Sequence, residues 1–167
     1  VCQYGIVRES DTAVIEMSGA AGITLVPAKE RNPMNTTSYG VGEVIKDAAV
    51  RGCRRFVIGI GGSATNDGGL GMLQALGFGC LDHEGRPVEL GAKGLERLAA
   101  ITVDNVLPEL ADCRFRIACD VENPLCGPKG ATYIFGPQKG VAEDQKEPID
   151  RDMSHFADVT AMTLNKD

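Results

Sequence analysis

The sequence predicts an α/β fold, a layered mixed or mostly parallel sheet with flanking helices. Three observations carry that expectation. Strand-type runs and helical patterns alternate along the chain, the order that places strands in one sheet and helices on its faces. Residues 58–69, IGIGGSATNDGG, are a β-type run that empties into glycines and small polar residues just before a helical pattern. Hydrophobic residues make up 43% of the 167, enough for one domain with a real core.

Taken in order, residues 12–17 (TAVIEM) read as a strand and 18–22 (SGAAG) as a small-residue turn. Residues 27–33 are irregular and polar. Thr36, Thr37 or Ser38 caps a helix that carries Val41, Val44, Ile45 and Ala48 on one face and stops at Gly52. Residues 55–60 (RFVIGI) are short, β-branched or aromatic, and read as a buried strand. Beyond the glycines, Leu70, Met72, Leu73, Ala75 and Leu76 recur at helical spacing, with Gly77 at the C-terminal stop. Residues 79–81 and 86–88 flank the turn DHEG, with Gly85 where φ must be positive, which predicts a hairpin. Residues 93–100 read as a short helix and 115–119 as a strand ending on Asp120. Residues 142–164 have helical periodicity through Met153, Phe156, Val159 and Leu164, and Pro148 sets either a start near Glu147 or a kink. No repeat, low-complexity tract or linker interrupts this order, so residues 1–167 are read as a single α/β domain.

Composition excludes several classes. A net charge of −6 and a pI near 5.0 lack the basic face a nucleic-acid partner needs. No apolar run approaches the ~20 residues that span a bilayer, and no signal peptide is visible. The six cysteines form no C-x-x-C pair and read as reduced core or edge residues, not as metal or redox motifs.

A strand, a glycine-rich turn and a helix start together make a socket for an anion. Glycines let backbone N–H groups approach closely, and a helix end supplies unpaired donors. The segment admits three readings. Gly59, Gly61 and Ala64 fit a dinucleotide G-x-G-x-x-A fingerprint, with Asp82 about 20 residues beyond. A Walker-type loop fails, because no Lys-Ser or Lys-Thr pair follows the glycines. The third reading is a general anion socket with side-chain ligands from Ser63, Thr65, Asn66 and Asp67. Asp67 is either a helix-start carboxylate, worth ~0.3–1 kcal/mol, or a functional one facing a Mg²⁺ or a substrate hydroxyl. Asn66 can donate and accept, which suits a polyol. Asp120 follows a strand, where open α/β sheets collect ligand groups, or else belongs to an Asx-type turn before Asn123 and Pro124. Lys139, in the loop FGPQKG, meets an anion or is solvated. His83 and His155 read as surface residues, and no Ser-His-Asp arrangement or metal-ligand set stands out.

Taken together, IEMSGAAGITLVP, RNPMNTTSYGVGEVI, IGIGGSATNDGGLGMLQALG, RIACDVENPLCGPKGATYIFGPQKG and SHFADV resemble the bacterial glycerate kinases of the type I class, over essentially the whole chain. The resemblance implies ATP-dependent, Mg²⁺-assisted phosphorylation of D-glycerate in the cytoplasm, giving 2-phosphoglycerate in most bacterial members. It implies a fold of two α/β domains, one inserted in the other, with substrates in the cleft between them. Members of that family run to well over twice this length, and Pro-Asp-Ser-Tyr-Lys and Gly-Glu-Gly-Arg type segments are absent here. The chain is therefore expected to be an internal piece, inactive by itself. On this view Gly61, Gly62, Ser63 and Thr65 bind an anionic group of substrate or nucleotide, with Asn123 and Lys139 beside them. Asn66 and Asp67 orient the glycerate hydroxyl or a Mg²⁺ water, and Asp120 is a second catalytic carboxylate. Which aspartate is base and which is metal ligand stays open, as does the oligomeric state. Two rival expectations are an NAD(P)-binding oxidoreductase domain and a non-catalytic scaffold.

Overall fold

In the computed structural model, which describes residues 2–164, the chain begins with strands β1 (Gly5–Val7) and β2 (Thr12–Glu16) and helices α1 (Met17–Ala21) and α2 (Tyr39–Val50). Strand β3 (Arg55–Gly59), helix α3 (Leu70–Ala75), strand β4 (Gly79–Leu81), helix α4 (Lys93–Arg97) and strand β5 (Ala100–Thr102) follow. Strand β6 (Arg114–Ala118) and helices α5 (Ala131–Phe135) and α6 (Lys146–Leu164) complete the order.

The main sheet has the order β1-β2-β3-β6. β2, β3 and β6 run parallel, and β1 is antiparallel at one edge. This is the mostly parallel sheet with flanking helices that the alternating pattern predicts. The period-2 burial of β2 and β3 turns Ala13, Ile15, Phe56 and Ile58 onto Val41, Val44, Ile45 and Ala48 of α2. In register with Phe56 on β3, Phe115 of β6 stacks on it, ring centroids 4.8 Å apart. A second core joins α6, through Ile149, Met153, Phe156 and Val159, to Leu70, Cys80, Leu95 and Ile101.

The structure corrects several local expectations. Residues 18–22 are not a turn but mostly the short helix α1. The DHEG turn closes as predicted, with Asp82 N–H donating to Arg86 O at 2.8 Å and Gly85 at φ +75°. Its returning arm, however, makes only an isolated bridge at Leu81 and Pro87, closed on its far side by Val88 N–H donating to Cys80 O at 2.9 Å. The ladder partner of β4 is instead β5, so the predicted helix over 93–100 ends at Arg97. The last helix starts at Lys146, which puts Pro148 in the first turn, where its missing N–H is not needed.

Helices α2 and α3 pack so closely that Gly42 has no room for a side chain. A Cβ there would lie 2.5 Å from Met72 O and 2.6 Å from Ala75 Cβ. Gly42→Ala is expected to cost about 1–3 kcal/mol, measured as a lower urea midpoint. A neutral substitution would mean that this helix pair is looser than described.

Candidate anion-binding site

The site forms where β3 runs out. The chain leaves Gly59 through Ile60, Gly61, Gly62 and Ser63 at the carboxyl ends of the parallel strands. Gly62 sits at φ +68°, a conformation only glycine adopts without strain. The turn is pinned from one side: Ile23 N–H donates to Gly62 O, and Ala64 N–H donates to Ala21 O, both at 2.8 Å. The N–H groups of Gly61, Gly62 and Ser63 donate to no protein acceptor among the described residues. All three residues line a cavity of about 590 Å³.

Lys139, at the end of a helical turn over Pro137–Lys139, reaches into the same place. Its Nζ donates to Ser63 Oγ at 2.8 Å and to Thr65 O at 2.7 Å. An ammonium has three donors, so one remains for the cavity. Burial lowers its pKa from the ordinary lysine value, while the negative charge of Asp67 acts in the opposite direction. The lysine is thus a cation made costly by desolvation and ready for an anionic partner.

The structure brings six of the predicted site residues around this cavity: Gly61, Gly62, Ser63, Asp120, Asn123 and Lys139. Asp120 is exposed beyond the end of β6, and Asn123 donates from Nδ2 to Lys129 O at 2.9 Å. The other three predicted residues turn inward: Thr65 and Asn66 are 4% exposed and Asp67 is 2%. Thr65 contributes its carbonyl to Lys139. Asn66 donates to Thr132 Oγ1 at 3.0 Å, tying the loop to α5.

Asp67 is a buried junction. Its Oδ2 accepts from Ser38 N at 2.8 Å, Ser38 Oγ at 2.9 Å, Thr37 Oγ1 at 3.4 Å and Gly71 N at 3.4 Å. Its Oδ1 accepts from Gly69 N at 3.2 Å. Ser38 Oγ also accepts from Met72 N at 2.9 Å. The helix start expected to help hold the anion is therefore already filled by the protein's own carboxylate and hydroxyl. The open donors lie earlier, at the strand exit. Ser38 does stand at the start of α2, but its hydroxyl serves Asp67 instead of capping its own helix.

Asp82, the acid that a dinucleotide fingerprint requires, does not line the cavity. Its carboxylate closes the turn after β4, accepting from Glu84 N at 3.0 Å, Arg86 N at 2.9 Å and Arg86 Nε at 3.1 Å. The backbone hydrogen bond from Arg86 leads in pulling its pKa from 3.8 down to about 2. A carboxylate with a folded pKa below its unfolded one stabilises the fold fully above the unfolded value, and that stabilisation is lost as pH falls through the folded one. Unfolding experiments between pH 5 and 2 should therefore show a stability loss that is smaller in Asp82→Asn. Identical slopes in both proteins would contradict this role.

No cluster of three or more potential metal ligands occurs among the described residues. Asp120 alone is a carboxylate at the cavity, which suits a Mg²⁺ held mainly by phosphate oxygens and water. Sequence reading missed the apolar wall of the cavity, Val121, Leu125 and Phe135, and the buried Thr132 behind the loop. Only folding brings these side chains to the site, and none belongs to a spacing pattern.

Fold and geometry define the class of α/β proteins whose ligands gather outside the carboxyl ends of parallel strands. Residues 1–167 match the model of the Glycerate kinase family, and the chain belongs to that family. It is 48% identical to a glycerate kinase of Haemophilus influenzae, over 98% of this chain and 43% of that protein. It is also 48% identical to a glycerate 2-kinase of Escherichia coli, over 98% of this chain and 43% of that protein. Its fold matches the crystal structure described as that of a glycerate kinase 2 from Salmonella typhimurium LT2, with a TM-score of 0.96 and 43% identity. That match covers 99% of this chain and 45% of the other. The chain thus spans less than half the length of these relatives. Among the described residues no helix is long and apolar enough to cross a membrane.

Proposed function

We propose that this chain supplies the anion-holding α/β domain of a glycerate kinase, a cytoplasmic enzyme that transfers a phosphoryl group from ATP to D-glycerate and gives 2-phosphoglycerate. One observation carries the reading: in a chain of this family, a single cavity is lined by Lys139 and by Gly61, Gly62 and Ser63, whose N–H groups have no protein acceptor among the described residues. Phosphoryl transfer asks the protein mainly for positioning and charge neutralisation, and preorganised N–H donors beside an ammonium supply both. Gly61, Gly62, Ser63 and Lys139 hold the anionic group, with Asn123 at the rim. Asp120 is the carboxylate placed to take the hydroxyl proton or to hold Mg²⁺, which when bound neutralises charge on the phosphates. Thr65, Asn66 and Asp67 act from behind, by fixing the loop that presents these donors. The second domain of the family would close the cleft over them.

The oxidoreductase reading lacks support, since Asp82 is spent on its own turn. The test is a coupled assay of ADP release with the full-length enzyme. D-Glycerate should be required for ADP release, and Asp120→Asn should lower kcat. NADH binding without glycerate-dependent ADP release would overturn the reading, and the absence of any affinity for ATP or D-glycerate would favour a scaffold.

A further inference from the structure

The glycine turn after β3 and the turn that carries Lys139 come from distant parts of the chain, and an anion held by both needs them in fixed register. Their direct link is the pair of hydrogen bonds from Lys139 Nζ to Ser63 Oγ and Thr65 O. A bound anion competes for that same ammonium, so a contact that the anion does not touch is needed to keep the two segments aligned. Arg31 makes such a contact. Its Nε donates to Val26 O, its Nη2 to Ile23 O and its Nη1 to Gln138 O, each at 3.4 Å. Ile23 N–H in turn donates to Gly62 O at 2.8 Å, and Gln138 immediately precedes Lys139. One guanidinium therefore spans from the segment that pins the glycine turn to the turn that presents the lysine. The main chain meets at the same place. A Cβ on Gly140 would lie 2.3 Å from Arg31 O, so the backbone just past Lys139 rests directly on Arg31.

Arg31 does not line the cavity, and among the described residues no carboxylate pairs with it. The chain carries a net charge of −6, yet this arginine serves main-chain carbonyls alone. What it supplies is the planar fork of donors, which fixes several acceptors relative to one another. Each of its hydrogen bonds is long, so none holds by itself. Their effect lies in acting together on two segments. Pro27 and Pro33 restrict the backbone on either side of the arginine.

We propose that Arg31 is a positioning residue that sets Lys139 against the glycine turn, so that the ammonium and the N–H groups of Gly61, Gly62 and Ser63 meet one anion. The inference rests on the reading of this cavity as the kinase's anion site, and adds to it the residue that aligns its two sides. Lysine cannot take its place, because a single ammonium keeps the charge and loses the fixed fork.

The experiment is a double-mutant cycle on the 167-residue chain, read by calorimetry with inorganic tripolyphosphate as the probe. Arg31→Ala should weaken binding by about tenfold when Lys139 is present, and by less than about twofold in a Lys139→Met background, the non-additivity of two residues in one network. A merely structural role would lower affinity by the same factor in both backgrounds. Arg31→Lys should lose nearly as much as alanine, and it covers the case in which the alanine variant does not fold. Equal losses in both backgrounds, wild-type affinity in Arg31→Lys, or no binding of tripolyphosphate by the unmodified chain would overturn the assignment. The coupled assay of the full-length enzyme separates the two levels. Glycerate-dependent ADP release alongside equal losses in both backgrounds would sink the positioning role and keep the kinase. A loss confined to the background with Lys139, without glycerate-dependent release, would do the reverse.

Discussion

Asp67→Ala is expected to lower the free energy of unfolding by about 3–5 kcal/mol. The carboxylate is 2% exposed and receives the N–H groups of Ser38, Gly69 and Gly71 together with the hydroxyls of Ser38 and Thr37. Removing it strands these donors where the packing admits little water, since even a Cβ on Gly71 would come within 2.1 Å of Thr37 Oγ1. Each buried donor left alone costs about 1–3 kcal/mol, and partial relaxation keeps the total below the sum. Asp67→Asn keeps the shape but turns an NH₂ toward donors, so it should fall between alanine and the wild type. Equilibrium urea denaturation reads both. A loss below about 1 kcal/mol for alanine would show that the junction does not hold α2 and α3 to the glycine loop. The same variants should raise the KM for the anionic reactant, because the loop that presents Gly61, Gly62 and Ser63 is held from Asp67. A kcat lost at unchanged stability and unchanged KM would instead make Asp67 a direct participant in the chemistry.

Lys139→Met is expected to weaken binding of the anionic reactant by about ten- to a hundredfold, the worth of one charge-assisted hydrogen bond of about 1.5–3 kcal/mol. Methionine keeps much of the stem that packs in the cavity wall and removes only the ammonium, so the fold should survive. The pH dependence gives a second readout. Burial lowers the lysine pKa, so the ammonium that attracts the anion is lost at a lower pH than for a free lysine. Affinity should fall as pH rises through that lowered value, and the Met variant should lack this fall. Calorimetry across alkaline pH measures it, and wild-type affinity in Lys139→Met would remove the lysine from the site.

Much of the scaffold is legible in the sequence because it follows short-range periodicities. β2, β3 and β6 are β-type runs, while α2, α3 and the body of α6 show apolar residues at helical spacing. Elements of three residues such as β1 and β5, or five such as α5, are too short to display a period. Their structure comes from pairing and packing with distant segments. The site divides the same way. The glycine turn announces itself by composition, but the partner of Ser63 is 76 residues away at Lys139, and the first partner of Asp67 is 29 residues upstream at Ser38. Asp67 carries the right residue type for either a ligand or a junction, and only the packing of α2 on α3 decides which way its oxygens point. The apolar wall is illegible for a simpler reason, since Val121, Leu125 and Phe135 are individually ordinary residues of loop and helix.

The account as a whole depends on anion capture at the end of β3, and amide NMR on ¹⁵N-labelled chain during an ATP titration tests that most directly. The N–H resonances of Gly61, Gly62 and Ser63 should shift together and saturate with one affinity, while those already engaged within the protein, such as Ala64 and Gly71, move little. Unmoved resonances at those three positions, with ATP saturating some other part of the surface, would contradict it.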